Sequence, residues 1–370
     1  MIDVKYLTSC HVFLQRGGIT MSSGLYGIEK SNRSDDAHWT KNCFNSSFPA
    51  ALAYYMYDNE IPAIYNKLEL VDGELKTVSS EIQFEHVFNC GRPPLNMLDF
   101  YFEHPYEPYQ EFSFDPIDNI DLVVRDVASR YLSPLEVKLT VLPTANTSHL
   151  PENEWGCELV VRSATTSYCA LGMFDAVRDE AKVVRGIFEE ACSSIHSWDN
   201  DFEMTHKTPA LSASIDSFQK RFLTKQKPLV MQAIWKTQGQ SPLLSDQAFD
   251  IVVWSDYAFS RLFVDNAYEI EPTMSRYMRA TARLARCLWE LSKSGKIRMV
   301  DIYRQMAFGN QTDKEFAVQG QKWRDYVTTD RISTPRLHKD VLNDIIQPGY
   351  IEKLKPERRF DQTLFFTVKK

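Results

Sequence analysis

The sequence predicts an α/β (α+β) protein with a mixed central β-sheet flanked by helices. Three observations indicate this class: an early helix, a mainly strand-like region after it, and a helix-rich second half that contains further strands. The 370 residues are 44% hydrophobic and 25% charged, as in ordinary globular proteins. This composition excludes a mainly disordered or collagen-like chain.

A helix and a hairpin open this pattern. Ser46 or Ser47 is expected to cap the helix, which has Pro49 in its first turn and ends near Asn59. The dipeptide Asp72–Gly73 then separates two strand-like segments, and such a pair is typical of a tight hairpin turn.

Strands and two long helices follow. Glu81–Asn89 fits either a strand or a helix, and Phe249–Trp254 fits either a strand or the start of a helix. Apolar residues at helical spacing predict helices over Ala176–His196 and Thr273–Ser292. The remaining predicted strands are Leu98–Glu103, Ile120–Val124, Leu135–Leu142, Glu158–Arg162 and Leu229–Trp235.

The chain shows no internal repeat and no low-complexity linker. We interpret residues 1–23 as an N-terminal extension and residues 24–370 as one elaborated domain. Within that domain the sequence predicts a core at about residues 60–240 and a basic helical C-terminal part at about residues 270–370.

Charge is distributed unevenly along the chain, whose net charge is -7. Residues 276–370 contain 20 Lys and Arg but only 11 Asp and Glu, whereas residues 1–275 contain 22 basic and 38 acidic residues. Such an asymmetry indicates a side that faces a polyanion. A surface that is merely uneven in charge explains it equally well.

Several classes of protein are excluded by missing patterns. The seven cysteines contain no C-x-x-C pair, which argues against a zinc ribbon or a redox motif. No apolar run of about 18 residues and no secretory signal occurs, so we expect a cytoplasmic protein. The sequence also lacks a phosphate-binding loop of the G-x-x-x-x-G-K-S/T type, which argues against an ATP-driven step.

One predicted hairpin carries a chemically suggestive set of side chains. Leu122–Val124 and Leu135–Leu142 are expected to pair as antiparallel strands. Because side chains alternate along a strand, Glu136 and Lys138 share the face opposite the leucines and valines. Asp121 stands at the mouth of the partner strand, so the hairpin can bring all three together.

This set is typical of metal-dependent phosphodiester hydrolysis. Two carboxylates at one point repel each other unless a divalent cation or a proton lies between them, and hard oxygen ligands favour Mg²⁺. Lys138 can hold a phosphate oxygen and orient or help deprotonate the attacking water. An ordinary surface ion pair between Glu136 and Lys138 is the alternative. Other carboxylates compete for the place of Asp121, namely Asp115, Asp118 and Asp126.

The pattern Asp121…Glu136-x-Lys138 resembles the active-site motif of the PD-(D/E)xK nuclease superfamily, although Ile120 replaces the proline of the motif. Longer stretches resemble the HindVP-type restriction endonuclease family, and they are spread over roughly residues 24 to 290. These stretches are Gly24-Leu-Tyr-Gly-Ile28, Ser31-Asn-Arg33, Phe44-Asn-Ser-Ser-Phe-Pro49, Ile120-Asp-Leu-Val-Val124, Leu135-Glu-Val-Lys-Leu-Thr140 and Gln232-Ala-Ile-Trp-Lys-Thr237.

The resemblance implies a homodimeric, Mg²⁺-dependent type II restriction enzyme with a restriction-endonuclease-like core. Its substrate would be double-stranded DNA with a degenerate six-base palindrome of the GRCGYC kind, and a DNA methyltransferase encoded nearby would be its functional partner. By this resemblance Asp121, Glu136 and Lys138 are catalytic, and Asp121, Glu136 and the Val137 carbonyl are metal ligands. A nuclease of repair or phage defence without a fixed site, and a DNA-binding protein with an inactive core, remain alternatives.

Further site residues are expected outside the hairpin. Arginines at steps of 3, 4 and 3 residues form a stripe on the predicted helix Thr273–Ser292, where they would contact phosphates or simply form a solvated face. Lys236 and Gln238 follow a predicted strand and would project into a groove of DNA or be plain loop residues. The sequence does not identify the further carboxylate that would complete the metal shell, for which Glu81 and Glu85 are two candidates. The arginines of the stripe are Arg276, Arg279, Arg283 and Arg286.

Overall fold

An eight-stranded mixed sheet forms the centre of the protein in the computed structural model. Its neighbouring strands run in the order β2-β1-β8-β7-β5-β4-β3, with the short β10 paired to β8, and β6 and β9 form a separate two-stranded sheet. The strands are β1 (Ala63–Val71), β2 (Glu74–Ile82), β3 (Leu98–His104), β4 (Ile120–Asp126), β5 (Tyr131–Val141), β6 (Glu158–Arg162), β7 (Pro228–Thr237), β8 (Leu244–Ser255), β9 (Lys314–Gln319) and β10 (Leu337–His338).

The structure describes most of the chain between positions 49 and 341. The described residues are 49–88, 98–142, 158–238, 244–268, 274–309, 314–319 and 326–341, without residues 50, 54, 127, 129 and 327–329. The predicted caps Ser46 and Ser47 therefore lie outside the described residues. Within them, no helix is long and apolar enough to cross a membrane.

The helices lie mostly in the second half of the chain. They are α1 (residues 49, 51–53 and 55–58), α2 (Phe84–Val87), α3 (Ser163–Asp175), α4 (Ala181–Ser193), α5 (Asp201–Arg221), α6 (Asp256–Val264), α7 (Arg276–Ser294), α8 (Met299–Gln305) and α9 (Asp330–Ser333). Short 3-10 helices occur at Glu107–Phe112, Arg178–Glu180, Leu223–Lys225 and Asp265–Tyr268.

The sheet mixes parallel and antiparallel pairs. β5 runs parallel to β7, and β1 runs parallel to β8, whereas the other neighbouring strands are antiparallel. The hairpin predicted at Asp72–Gly73 joins β1 to β2, and both turn residues have positive φ angles of 54° and 81°. The predicted class, a mixed sheet flanked by helices, is confirmed.

Both faces of the sheet are covered. On β7, Ile234 packs into a cluster with residues of α3–α7, and the adjacent Met231 and Ala233 pack into a second cluster with residues of α1 and α2. The same alternation places Trp254 of β8 in the first cluster and Val253 in the second. Strands with both faces buried are mostly apolar, as β8 is from Ala248 to Trp254 apart from Asp250.

Side chains and backbone geometry fix the helix ends. The Ser275 hydroxyl accepts a hydrogen bond from the backbone N–H of Met278 and so begins α7, which ends at Gly295 with a φ of 73°. The predicted helix over Thr273–Ser292 is thus confirmed, with a start three residues later. The helix predicted over Ala176–His196 is shorter, because a 3-10 turn over Arg178–Glu180 precedes α4.

Arg336, near the end of the described residues, contacts the centre of the sheet. Asp250 on β8 has no exposed surface, and both of its carboxylate oxygens accept hydrogen bonds of 2.8 Å from Arg336. Arg336 also donates to the backbone carbonyl of Pro62, just before β1. A buried carboxylate needs such a partner, so this arginine compensates a charge inside the sheet.

Asp256 carries a second buried carboxyl group at the start of α6. Its Oδ1 accepts hydrogen bonds from the backbone N–H groups of Lys227 at 3.0 Å and Tyr257 at 2.8 Å. Burial nevertheless raises the pKa of Asp256 to about 7, because these hydrogen bonds only partly replace the lost hydration.

This pKa predicts a pH-dependent stability. Because the folded state binds the Asp256 proton more tightly than the unfolded state does, its stabilising effect is present at low pH and is lost as the pH rises toward 7. We expect the free energy of unfolding to fall by about 2 kcal/mol between pH 5 and pH 7 relative to Asp256→Asn. Urea unfolding of both proteins checks this, with the exposed Asp179→Asn as control. If the unfolding free energies of wild-type protein and Asp256→Asn changed equally with pH, the prediction would be contradicted.

Candidate active site on strands β4 and β5

The structure brings the three predicted catalytic side chains together. β4 and β5 are antiparallel with Leu122 opposite Leu135, so Asp121 and Glu136 occupy facing positions. Because Leu122 and Leu135 pack into the cluster with α1 and α2, Asp121, Glu136 and Lys138 lie on the other face of the sheet. The predicted hairpin and its division into two faces are confirmed.

Asp121 is held by the backbone of the opposite strand. Its Oδ2 accepts a hydrogen bond of 2.8 Å from the backbone N–H of Val137. Burial raises the pKa of Asp121 well above its usual range, and the charge of Glu136 raises it further. The ammonium of Lys138 and the hydrogen bond from Val137 act in the opposite direction. This carboxyl group therefore lacks sufficient positive charge around it.

Lys138 forms an ion pair with Glu136, whose residue surface is only 6% exposed. Burial disfavours the charged form of Lys138, but the carboxylates of Glu136 and Asp121 outweigh this effect and raise its pKa. Lys138 is thus an ammonium ion at neutral pH. In this state it can hold an anion or orient a water molecule, but it cannot accept a proton.

The donor set fits a hard divalent cation. Asp121 and Glu136 supply carboxylate oxygens from facing strand positions, and the intervening residue Val137 supplies a backbone carbonyl. A cation between the carboxylates would relieve the repulsion that raises the pKa of Asp121. Over the described ranges, no group of three or more His, Cys, Asp or Glu side chains is arranged to hold a metal ion. The fit thus rests on two carboxylates and a carbonyl.

The competing aspartates have other surroundings. Asp126 accepts a hydrogen bond of 2.5 Å from Nε of Arg130, and Asp115 lies 3.5 Å from Arg298. Asp118 is exposed, and its backbone carbonyl accepts a hydrogen bond from the Tyr168 hydroxyl. None of these three faces Glu136 in the register of β4 and β5.

The two glutamates expected to complete the metal shell are misplaced. Glu81 belongs to β2, at the opposite edge of the sheet from β3 and β4, and Glu85 belongs to α2 on the other face. Neither candidate therefore lies at the cluster, and the strand order that separates Glu81 from it is not evident from the sequence. Glu103 lies closer: it stands opposite Asp121 on β3, between the pairs Phe102–Leu122 and His104–Ile120.

Glu103 and Arg162 are two neighbours that the sequence did not single out. Glu103 has a φ of 51°, and its charge contributes to the raised pKa of Asp121. Arg162, the last residue of β6, is exposed, and its charge acts on the ammonium of Lys138. Each residue is the last of a predicted strand, and this is the one feature of the sequence that could have drawn attention to it. The spacing of residues in the sequence does not reveal where Glu103 or Arg162 lies relative to β5.

A buried polar network supports the cluster from β7. Gln232 is paired with Lys138 across the parallel strands β5 and β7. Its Nε2 donates to the hydroxyl of Thr140 at 3.1 Å, and its Oε1 accepts from the indole N–H of Trp254 at 3.0 Å. Because all three residues are buried, this network fixes the position of β5 beneath the helices.

Lys236 and Gln238 lie where β7 ends. Gln238 is exposed, and the Lys236 ammonium donates to the backbone carbonyl of Ser333 at 3.2 Å. Lys236 is four residues along β7 from Gln232, roughly 13 Å in an extended strand. It borders an open pocket of about 400 Å³ that is also lined by Ser245, Asp246, Gln247, Thr334, Pro335 and His338.

The predicted arginine stripe on α7 is not a solvated face. Arg276 is exposed, but Arg279, Arg283 and Arg286 are only 3%, 5% and 7% exposed. Arg283 forms a buried ion pair with Glu315 of β9. The expected exposure of these three arginines is therefore wrong, because α3 to α6 and β9 surround α7.

The pairing of the other two arginines explains their burial. Arg279 donates to the backbone carbonyl of Glu315 at 3.4 Å. Arg286 contacts Glu290 at 2.8 Å and Gln305 of α8 at 2.5 Å. These guanidinium groups are occupied by internal partners, so they do not present a row of phosphate contacts.

Comparisons with known proteins agree on one family. The family described as HindVP restriction endonuclease matches residues 39–369. "Type II restriction enzyme HgiDI" of Herpetosiphon aurantiacus is 32% identical over 349 residues, which are 93% of this chain and 96% of that protein. "Probable type II restriction enzyme HindVP" of Haemophilus influenzae (strain ATCC 51907 / DSM 11121 / KW20 / Rd) is 28% identical over 345 residues, 92% of each chain. No solved structure matches.

Proposed function

The chain belongs to the HindVP restriction endonuclease family, and on that premise we propose that it cuts double-stranded DNA at the cluster of Asp121, Glu136 and Lys138. As a type II restriction enzyme it is a site-specific deoxyribonuclease. The observation that carries the proposed site is the pairing of β4 with β5, which gathers two acids and an ammonium on one face. This arrangement supports the proposal of a PD-(D/E)xK nuclease core.

Asp121, Glu136 and the Val137 carbonyl would hold Mg²⁺. When bound, Mg²⁺ lowers the pKa of a water molecule and offsets negative charge on the phosphate that is attacked. The carboxylates orient that water along the line of attack, and Val137 keeps Asp121 in place through its N–H group. Lys138 remains protonated and binds a non-bridging phosphate oxygen.

A palindromic site is matched by a two-fold dimer, in which each subunit cuts one strand. We therefore propose a homodimer that acts on a site of the GRCGYC kind. Lys236, Gln238 and Arg276 are the proposed DNA contacts among the residues singled out from the sequence, because Gln238 and Arg276 are exposed and Lys236 borders an open pocket. A DNA methyltransferase encoded nearby would protect the same site in the host.

Digestion of plasmid DNA tests this function. With Mg²⁺ we expect discrete fragments whose ends map to one short palindrome, and no cleavage when EDTA removes the metal. A smear would indicate a nuclease without a fixed site, as in repair or phage defence. Retarded DNA on a gel without cleavage in Mg²⁺ or Mn²⁺ would indicate an inactive nuclease core. Either of the last two outcomes contradicts the proposal.

A further inference from the structure

Arg162 stands beside the proposed catalytic cluster but has no role in the account given so far. It is the last residue of β6 and pairs with Lys314 across the small sheet of β6 and β9. β6 also lies against β5, the strand of Glu136 and Lys138, and α3 begins at the next residue, Ser163. The exposed side chain of Arg162 thus lies at the edge of the cluster.

Several other surface arginines are ion-paired, whereas Arg162 is not. Arg178, Arg185, Arg298 and Arg304 are surface arginines, and each lies within ion-pair distance of a carboxylate. Among the residues that the structure describes, Arg162 has no ion pair. Its charge instead acts on a cation of the cluster, because it lowers the pKa of Lys138.

Two neighbouring cations repel each other. The carboxylates of Glu136 and Asp121 compensate Lys138, but Arg162 is exposed and forms no ion pair within the described residues. α3 also has no acidic residue in its first turn, so the positive end of its dipole adds to the same potential. A bound anion next to Lys138 would remove this imbalance.

We propose that Arg162 contacts the scissile phosphodiester of DNA, where its planar guanidinium binds the non-bridging oxygens beside Lys138. This inference rests on the proposed function, and it assigns a residue that positions the phosphate and stabilises the negative charge gained during attack. A guanidinium suits this role, because it presents parallel N–H donors at the spacing of two phosphate oxygens. The role is distinct from that of Arg276, which would contact the duplex from α7.

Cleavage kinetics give the first test. With a short duplex that contains the mapped site, we expect Arg162→Ala to lower the single-turnover rate in Mg²⁺ by about 10² to 10³-fold. Its Kd for the same duplex in Ca²⁺ should rise by less than about tenfold, and Arg162→Lys should retain an intermediate rate. Arg185→Ala, which removes an exposed arginine on α4, is the matched control and should cleave like the wild type.

A chemically altered substrate gives a second test that does not depend on cleavage. A neutral methylphosphonate at the scissile position removes the charge that Arg162 is proposed to bind. We expect this change to weaken binding by wild-type protein and by Arg185→Ala, but to have a clearly smaller effect on Arg162→Ala, with Arg162→Lys in between because it keeps a positive charge. Equal losses in all four proteins would overturn the inference, because Arg162 would then act elsewhere.

The results of these experiments distinguish a failure of the Arg162 inference from a failure of the proposed nuclease function. If wild-type protein produces no discrete fragments, the proposed function fails. If wild-type protein cuts at one site and folded Arg162→Ala cuts at the same rate, only the role of Arg162 fails. Thermal unfolding of each variant establishes whether it is folded. If Arg162→Ala does not fold, the cleavage rate of Arg162→Lys is compared with that of wild-type protein instead.

Discussion

Asp121→Asn, Glu136→Gln and Lys138→Ala are each expected to reduce DNA cleavage by about 10³-fold or more while binding remains measurable. The first two changes remove a negative ligand from the proposed Mg²⁺ site, and the third removes a half-buried ammonium that is proposed to bind the phosphate. A loss of several kcal/mol of transition-state stabilisation corresponds to this factor. Initial rates on plasmid DNA in Mg²⁺ measure cleavage, and gel retardation in Ca²⁺ measures binding.

The competing aspartates provide matched controls for this prediction. Asp115→Asn and Asp126→Asn also remove one carboxylate from the same part of the chain, but their side chains pair with Arg298 and Arg130 instead of facing Glu136. We expect both variants to cleave within about threefold of wild type. If Asp126→Asn were inactive and Asp121→Asn active, the acids of the site would be misassigned.

Arg283→Met is expected to lower the free energy of unfolding by about 3 to 5 kcal/mol. The physical reason is that Glu315, which is 2% exposed, then has lost its main counter-ion in the interior. The double variant Arg283→Met/Glu315→Leu should recover most of this loss, because replacing both partners with apolar groups leaves no buried charge. Urea unfolding curves give the three free energies.

Arg276→Ala is the control on the same helix. Arg276 is exposed at the first position of α7, so its loss should change the unfolding free energy by less than about 0.5 kcal/mol. A folded Arg283→Met of wild-type stability that had lost affinity for DNA would contradict the buried pair. That outcome would instead support the phosphate contact first inferred from the arginine spacing.

The β4–β5 hairpin could be predicted because its information is local. Alternation along Leu135–Val141 separates two faces of one strand, and a short connection from Val124 leaves antiparallel pairing as the simple solution. Those two facts indicate that the hairpin can bring Asp121 near Glu136, and the register of the strands places the two opposite each other. The catalytic role of these residues stays a prediction, since geometry alone does not measure cleavage.

The arginine stripe shows what local information leaves out. Leucines and arginines on opposite faces of α7 are typical of an amphipathic surface helix, but neighbouring helices and β9 also cover its polar face. The partner that permits this burial is Glu315, at a distance of 32 residues in sequence from Arg283. Spacing within a helix cannot reveal an acid that another strand supplies.

The order of the strands in the sheet, which the sequence does not reveal, also determines which charged residues surround the cluster. Glu81 and Glu103 are both acids at the ends of predicted strands, but β2 lies at one edge of the sheet and β3 at the other. Arg162 reaches the cluster only because β6 leaves the main sheet and pairs with β9. These placements depend on contacts between distant parts of the chain.

The Arg336–Asp250 pair has a consequence for the order in which a newly made chain can fold. All residues of the proposed catalytic cluster precede residue 163, so a ribosome releases them early. Asp250, however, stays uncompensated inside the sheet until Arg336 emerges and also caps the Pro62 carbonyl. A nascent chain therefore holds the residues of the proposed cluster well before it can complete its interior.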